Sequence, residues 1–253
     1  CPRAVVRGVA CGSSWGRYGD ALGAGGQRGG IGRAMRLRRK PWIDTAILDY
    51  ADFVTPRGGD WSHHAGAWAE TFGRTAPLHV EIGVGKGDFI TELAARNPDV
   101  NYVGLEAQQG VLYFAACKAA ERQLRNVRLL VFDAARLTEL FAPREVDRIY
   151  LNFSDPWPKA RHAKRRLTSE TFLTRYAAVL KEDGEIRFKT DNAGLFAYSL
   201  ETMERAGWLL CDVTHDLHAL GEADNIMTEY ERKFSARGAK IGRLAARLPA
   251  GGA

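Results

Sequence analysis

The stretch LHVEIGVGKG, residues 78–87, decides the fold. Its first five residues form a short apolar run of the kind that makes a buried strand. Glycines follow at positions 83, 85 and 87, and apolar residues at 89, 90, 93 and 94 then keep a helical spacing as far as Asn97-Pro98. The stretch therefore predicts a strand, a tight glycine turn and a helix, which together make one unit of an α/β sheet.

The same alternation continues along the chain. Further strands are predicted at 102–105, 127–132, 149–153, 185–188, 208–213 and 229–234, and helices from about 110 to 124, from Ser169 onward and from about 193 to 206. This order predicts a doubly wound α/β fold with a mostly parallel sheet and helices on both faces.

Acidic residues stand at, or just after, five of the predicted strands. Ligands of such sheets bind beyond the carboxyl ends of the strands, so these residues predict a binding site at that edge. One acidic residue after a strand is usually only a helix cap or a turn former, but five in succession indicate a ligand. The five are Glu81, Glu106, Asp133, Asp155 and Asp191.

The glycine spacing argues against a dinucleotide cofactor. The dinucleotide motif has its third glycine at the sixth position of the loop, where this chain has Asp88. Glu106 follows the loop by about 20 residues, where an acidic side chain accepts hydrogen bonds from ribose hydroxyls. A nucleoside-bearing cofactor without a pyrophosphate fits both features, and S-adenosylmethionine is the candidate. A tight turn that binds no ligand is the alternative.

A carboxylate in a rigid turn is followed by a dense cationic run. Asp155 precedes Pro156-Trp157-Pro158, and five of the eight residues 159–166 are cationic. Trp157 is interpreted either as a stacking platform for a purine or as a core residue that fixes the turn. The cationic residues suit contacts with RNA phosphates, with a solvated surface loop as the alternative. They are Lys159, Arg161, Lys164, Arg165 and Arg166.

Composition sets the limits on class and organisation. The 253 residues carry a net charge of +6, a weak indication of a polyanionic partner. No apolar run approaches the roughly 20 residues needed to cross a bilayer, so no membrane contact is predicted. Four scattered cysteines have no zinc or redox spacing, which predicts no metal site and fits reduced thiols in a cytoplasmic protein. They are Cys1, Cys11, Cys117 and Cys211.

Four segments are predicted. Residues 1–34 include ten glycines, which indicates a disordered leader or translated sequence upstream of the true start at Met35; a functional basic arm is the alternative. Residues 35–76 are predicted to be an N-terminal arm with helical structure, 77–243 the main domain and 244–253 a flexible tail.

Over residues 35–243 the chain resembles the bacterial tRNA (guanine-N7-)-methyltransferases. The resemblance implies a Rossmann-like class I methyltransferase with a seven-stranded sheet whose last strand is antiparallel. It further implies methyl transfer from S-adenosylmethionine to N7 of a guanosine in the variable loop of tRNA. No obligatory protein partner is expected, and the sequence leaves both a monomer and a homodimer open. The resemblance is carried by Trp68, Phe72-Gly73, residues 80–87, 104–106, Asp133-Ala134, 152–167, 189–192 and 228–234.

The resemblance also implies residue roles. Because guanine N7 has a lone pair and no proton, Asp155 is expected to orient the base and stabilise charge rather than remove a proton. The predicted strand at 229–234 places Glu229 and Glu231 on one side, toward the guanine edge, or else on an exposed edge strand. Implied cofactor contacts are Glu81, Gly83, Gly85, Gly87, Glu106, Asp133, Ala134 and Asp155, and implied substrate contacts are Lys159, Asp191, Thr228, Glu229, Tyr230 and Glu231.

Two other functions remain open at this point. A methyltransferase acting on an exocyclic or amide nitrogen also places a polar residue before prolines at this strand end, although Trp157 stands where the second proline of that motif is expected. A non-catalytic RNA-binding module could keep the fold, but it would not need acidic residues at Glu81, Glu106, Asp133 and Asp155.

Overall fold

The computed structural model describes residues 40–222 and 224–249. The predictions for residues 1–34, and for Cys1 and Cys11 among them, lie outside this range. The strands are β1 (Val54–Thr55), β2 (Leu78–Ile82), β3 (Asn101–Glu106), β4 (Val127–Val131), β5 (Val146–Asn152), β6 (Leu180–Thr190), β7 (Leu209–Thr214) and β8 (Gly242–Arg247).

These strands form one sheet in the order β1-β4-β3-β2-β5-β6-β8-β7. Neighbours from β1 to β6 pair in parallel, and β8 pairs antiparallel with both β6 and β7. The predicted doubly wound, mostly parallel sheet with an antiparallel last strand is therefore confirmed. The observed sheet has eight strands rather than seven, because β1 adds a two-residue edge strand too short to leave a periodic pattern.

Helices cover both faces of this sheet. Among the described residues the longest, α4 and α7, have 13 residues each, and no helix is long and apolar enough to cross a membrane. The α-helices are α1 (Pro41–Ala46), α2 (Trp68–Phe72), α3 (Asp88–Arg96), α4 (Gln109–Glu121), α5 (Leu137–Leu140), α6 (Glu170–Val179), α7 (Ala193–Arg205) and α8 (Glu229–Ser235), with 3-10 turns at 47–50, 134–136, 160–165 and 217–220.

Each face of the sheet has its own apolar core. On one face, Val80 and Ile82 of β2 pack in a cluster with Leu173 of α6 and Met203 of α7. On the other face, apolar residues of α3 and α4, including Leu112, pack against Tyr102 of β3 and Leu129 of β4. The alternation of side chains along each strand separates the two cores, so the layers of the doubly wound fold follow directly from the apolar runs of the sequence.

The strand order reverses at β2. This strand pairs with β3 on one side and with β5 on the other. A doubly wound sheet opens a crevice between the carboxyl ends of the two strands at such a reversal. The crevice therefore lies between Glu81, near the end of β2, and Asn152, the last residue of β5.

The prediction of a strand at 229–234 was wrong, since this segment is helix α8. Thr228 caps the helix, because its Oγ1 accepts a hydrogen bond from the Glu231 backbone N–H at 2.9 Å. Thr followed three residues later by Glu is a helix-start signal, and Tyr230 and Phe234 lie four apart, as on one face of a helix; both signals were missed. Side chains two positions apart on a helix point about 200° apart, so Glu229 and Glu231 do not face the same side.

The last strand of the sheet is instead β8, which lies between β6 and β7. The prediction of a flexible tail from residue 244 was thus wrong for residues 244–247. The alternation of buried Leu244 and Ala246 with Arg243 and Arg247 supports a strand there.

Gly87 fits its position for two reasons. Its φ is +82°, in the left-handed region, and a Cβ built on it would lie 2.5 Å from the Cβ of Ala115 in α4. We expect Gly87→Ala to lower the free energy of unfolding by roughly 2–4 kcal/mol, from backbone strain plus overpacking. Urea denaturation measures this loss.

Gly207 offers a matched control for this substitution. Its φ is +79°, but a Cβ there would meet no atom within 4 Å. Gly207→Ala should therefore cost only about 1 kcal/mol from the backbone conformation. Equal losses in the two variants would contradict the close packing of the glycine loop against α4.

Candidate active site

A cavity of about 210 Å³ opens at the strand reversal between β2 and β5. It is lined by Glu81, by the glycine loop at 83–88, by Asn152 and Phe153, and by the first residues of the α8 region, Thr228–Tyr230. The structure thus brings a predicted cofactor acid, the predicted cofactor loop and part of the predicted substrate segment to one place. A larger cavity of about 600 Å³ lies beside β1 and β4, and no predicted site residue lines it.

Glu81 lines this cavity, and one of its two carboxyl oxygens has no hydrogen-bond partner among the described residues. Its residue is only 3% exposed, and Asn152 Nδ2 donates a hydrogen bond to Oε1 at 2.9 Å. Its Oε2 is buried and has no hydrogen-bond partner among the described residues. Burial raises the pKa of Glu81 to about 8, against the opposing effects of the Asn152 hydrogen bond and the charge of Lys189. An unsatisfied buried carboxyl oxygen is costly, so this position fits a cationic or hydrogen-donating ligand group.

Glu106 braces the glycine loop from the end of β3. Its Oε2 accepts a hydrogen bond from the Gly85 N–H at 3.1 Å, and its Oε1 accepts one from the Gln108 N–H at 3.0 Å. Burial raises the pKa of Glu106, while these backbone hydrogen bonds oppose that rise. Each carboxylate oxygen has a second lone pair, so Glu106 can still accept hydrogen bonds from ligand hydroxyls.

Asp133 and Ala134 lie at the same edge of the sheet but outside the cavity lining. Asp133 is exposed after β4, and its Oδ1 accepts a hydrogen bond from the Ala135 N–H at 2.9 Å. This bond caps the 3-10 turn at 134–136. The structure therefore explains Asp133 as a turn former, and its predicted cofactor contact stays a prediction.

The turn that carries Asp155 has an unusual backbone. Phe153 and Trp157 have φ values of +52° and +40°, although neither is glycine. Such conformations cost about 1–3 kcal/mol each and persist only when neighbouring contacts hold them. Arg166 supplies two such contacts, because its Nε donates to the Pro156 carbonyl at 3.0 Å and its Nη2 donates to the Trp157 carbonyl at 3.1 Å. Arg166 therefore holds the turn and differs from the other cationic residues of the run.

The rest of the cationic run faces solvent. Lys159, Arg161, Lys164 and Arg165 are exposed in and before the 3-10 turn at 160–165, and within the described range none forms a salt bridge. The guanidinium of Arg165 lies 4.9 Å from the centroid of the Trp157 ring. Trp157 is half-buried and belongs to neither of the two large apolar cores. These positions leave four cations free to meet a polyanion.

Four of the predicted substrate residues converge around α8. The Tyr230 hydroxyl donates to Asp191 Oδ2 at 3.3 Å, and the Tyr230 ring lies 5.3 Å from that of Phe153. Glu229 forms an ion pair with Lys86 of the glycine loop at 3.0 Å. Thr228 begins the helix at the cavity wall. The α8 segment thus closes one side of the cavity.

Glu231 is the exception in this set. It is 0% exposed and forms an ion pair with Lys189, with Nζ 2.8 Å from Oε2. Its Oε1 accepts a hydrogen bond from Asn225 Nδ2 at 2.8 Å. A carboxylate enclosed in this way does not line the cavity, so the expected direct substrate contact of Glu231 is not supported by its position.

Sequence reasoning missed Asn152 and Lys189. Asn152 contacts Glu81 only because β5 pairs beside β2, and no local pattern reveals that pairing. Lys189 is the last residue but one of β6 and is buried. No clear signal marked it, because charged and apolar residues alternate at 185–189, as on a strand with one exposed face.

Comparison with known proteins supports a methyltransferase site. Residues 75–244 match a protein family described as "Putative methyltransferase". The tRNA (guanine-N(7)-)-methyltransferase of Geobacillus kaustophilus (strain HTA426) is 53% identical over 215 residues, which cover 85% of this chain and 98% of that protein. The enzyme of the same name from Staphylococcus aureus (strain JH9) is 47% identical over 214 residues, with the same coverage of both chains.

Among solved structures, the 16S rRNA methyltransferase KamB superposes with a TM-score of 0.56 at 18% identity, covering 73% of this chain and 94% of its own. At this level of identity the likeness concerns the fold alone. The superposition shows that the overall fold of this chain also occurs in a solved structure.

The raised pKa of Glu81 predicts a pH-dependent stability. The unfolded chain loses the Glu81 proton near pH 4.5, while the folded protein keeps it up to about pH 8. Between these values rising pH favours the unfolded state, by at most about 1.4 kcal/mol per pH unit from this group. We expect Glu81→Gln to remove this loss, so its free energy of unfolding relative to wild type should rise from pH 4.5 to pH 8.

Urea denaturation of both proteins across this pH range, without ligand, measures the difference. Because the other titrating groups are common to both proteins, their contributions cancel. A difference that stays constant with pH would show that Glu81 is ionised in the folded protein.

Proposed function

The chain belongs to the tRNA (guanine-N(7)-)-methyltransferase family, and we propose that it transfers a methyl group from S-adenosylmethionine to N7 of a guanosine in the variable loop of tRNA. The observation that carries this proposal is the cavity at the strand reversal. There Glu81, whose Oε2 has no hydrogen-bond partner among the described residues, and the glycine loop adjoin Thr228–Tyr230, so a donor site and an acceptor site share one wall.

The residues at the cavity fit S-adenosylmethionine. The unpaired Oε2 of Glu81 suits the cationic amino group of the methionine moiety. Glu106 suits the ribose hydroxyls, and a Cβ at Gly83 or Gly85 would meet no atom within 4 Å, which leaves the loop open toward a ligand. When bound, this cofactor supplies an electrophilic methyl group on a sulfonium sulfur. We further propose that Asp133, Ala134 and Asp155 complete the set from the same edge of the sheet.

Methyl transfer to N7 requires the protein to align the reacting atoms and does not require a general base. The attacking nitrogen carries a lone pair and no proton, and the methylated purine becomes cationic. Alignment of reacting groups can supply roughly 7–11 kcal/mol in the best intramolecular models. We propose that Asp155, held in its turn by Arg166, orients the guanine and stabilises the developing positive charge.

The substrate base is proposed to bind between the α8 segment and the β5 turn. Tyr230 is 42% exposed and lies beside Phe153, so an aromatic surface is available for stacking on a base. Asp191, Thr228 and Glu229 offer hydrogen-bond acceptors around it, and Lys159 offers a cation. The guanine N1–H and amino group are donors, which suits carboxylates at this place.

The cationic run is proposed to hold the tRNA backbone. Lys159, Arg161, Lys164 and Arg165 point their charges to solvent next to Asp155, where a base attached to its phosphates must enter. The proposal requires no protein partner and fits a monomer or a homodimer. It places the protein in the cytoplasm with its tRNA substrate.

Methyl transfer to unmodified tRNA tests this function. The protein is incubated with methyl-labelled S-adenosylmethionine and a tRNA transcript, followed by borohydride reduction and aniline cleavage, which cut the chain at N7-methylguanosine. We expect label in the tRNA and a single cut in the variable loop. Label without a cut would indicate transfer to another atom, and a transcript with adenosine in place of that guanosine should stay unlabelled.

Asp155→Asn tests the electrostatic role of Asp155. The amide keeps the size and the hydrogen-bonding oxygen but removes the negative charge. We expect the turnover number at saturating S-adenosylmethionine to fall by about 100-fold, in the range found when one preorganised electrostatic contact is removed. A turnover close to that of wild type would show that the charge of Asp155 does not act on the reaction.

Salt dependence tests the phosphate contacts. Lys164→Ala with Arg165→Ala should lower the slope of log affinity against log salt by about one unit for each phosphate that is no longer neutralised. Arg125→Ala is the matched control. Arg125 is exposed just before β4, at the amino-terminal ends of the parallel strands, whereas the cavity lies at their carboxyl ends. A double variant with an unchanged slope in tRNA filter binding would contradict the assignment.

A further inference from the structure

Lys189 is a buried cation at the carboxyl end of β6. Its residue is 5% exposed. Its Nζ donates hydrogen bonds to Asn225 Oδ1 at 3.2 Å, to the Ile226 carbonyl at 2.9 Å and to Glu231 Oε2 at 2.8 Å. An ammonium group has three donors, so these partners use all of them. Each partner belongs to the segment 225–231, which leads into and begins α8.

Glu231 completes a closed network with this ammonium. Its two oxygens accept from Lys189 and from Asn225, and His218 Nε2 lies 3.4 Å from Oε1. Because Glu231 is also 0% exposed, neither of its oxygens is accessible to a ligand. Removing one partner from such a buried pair leaves the other charge unsatisfied, which is strongly unfavourable.

The other ion pairs of α8 are weaker anchors. The Lys86–Glu229 pair is exposed on both sides, with side chains 52% and 57% accessible. Arg232 pairs with Asp88 at 3.2 Å and is also about half exposed. Exposed pairs contribute little, because water screens them and their side chains lose freedom. The Lys189–Glu231 pair is therefore the main electrostatic anchor of α8 on the sheet.

The same ammonium reaches the cofactor side of the cavity. It lies 5.2 Å from the centroid of the Phe89 ring, in the first turn after the glycine loop. Its charge also favours the ionised form of Glu81 and so lowers the pKa of that carboxyl, against the larger effect of burial. Lys189 thus stands between the acid of the proposed donor site and the segment of the proposed acceptor site.

We propose that Lys189 and Glu231 are positioning residues, which hold Thr228–Tyr230 against the cavity without touching the guanosine themselves. This inference rests on the proposed tRNA methylation for its kinetic consequences. Its structural consequence, that α8 is held by this one buried pair, does not depend on the substrate.

Three variants test the proposal: Lys189→Met, Glu231→Gln and the two combined. Glu231→Gln is the mild variant, because its amide keeps the shape and can still accept from Asn225. We expect kcat/KM for tRNA to fall roughly 30-fold or more in each single variant. In Glu231→Gln the affinity for S-adenosylmethionine, measured by calorimetry, should change little. The double variant should be no worse than the worse single variant, because both changes break one contact.

Hydrogen–deuterium exchange of residues 229–235 provides a readout without substrate. We expect faster exchange of α8 in both single variants. Lys181→Met is the matched control, since it removes an ammonium from the same strand at its opposite end, where Lys181 pairs with Asp147 at 2.8 Å. That control should leave the exchange of α8 and the activity on tRNA as in wild type.

The outcomes separate this inference from the proposed function. Losses that multiply in the double variant, or activity lost while α8 exchange stays as in wild type, would show that Glu231 acts on the substrate directly and would overturn the proposal. If the wild-type protein does not methylate tRNA, the proposed function fails. Faster α8 exchange in the single variants would still support the anchoring role, and unchanged exchange would overturn it.

Discussion

Parallel pairing of β2 with β3 on one side and with β5 on the other is the constraint on which the site depends. The chain leaves these strands toward opposite halves of the sheet, so no connection covers the gap between their carboxyl ends. Glu81 and Asn152 meet across that gap. The glycine loop, the turn with Asp155 and the α8 segment are then arranged around an opening that the strand order itself creates.

Two buried glutamates, Glu81 and Glu231, have different roles because their surroundings differ. In the part of the chain that the structure describes, one oxygen of Glu81 accepts a hydrogen bond and the other accepts none, and burial raises the pKa of this carboxyl. Glu231 is enclosed more completely, yet both its oxygens are satisfied. A ligand can therefore donate a hydrogen bond to the second oxygen of Glu81. Both oxygens of Glu231 are instead used in the contacts that hold α8. Lys189 lies within electrostatic reach of both.

Much of this arrangement could be predicted from the sequence, because it rests on local patterns. The apolar run and glycines at 78–87 and the acidic residues at strand ends give the fold class and the ligand edge. The segment 229–234 was misread, although Thr228 with Glu231 is a helix-start signal and the two aromatic residues of the segment have helical spacing. The Lys189–Glu231 contact joins residues 42 positions apart, so no local pattern reveals that a residue expected to meet the substrate is an internal anchor.

The position of β8 between β6 and β7 bears on how the protein is made. β7 pairs with no strand other than β8 in the described sheet, and it ends at Thr214, whereas β8 begins at Gly242. During synthesis, β7 is therefore complete before β8, the strand with which it pairs, has been translated. Until then the nascent chain presents the open edge of β6 and both edges of β7, and unpaired edges of this kind are prone to intermolecular pairing. Addition of β8 completes the sheet. The period between synthesis of β7 and synthesis of β8 is therefore when unpaired strand edges are exposed and chaperone binding would be most useful.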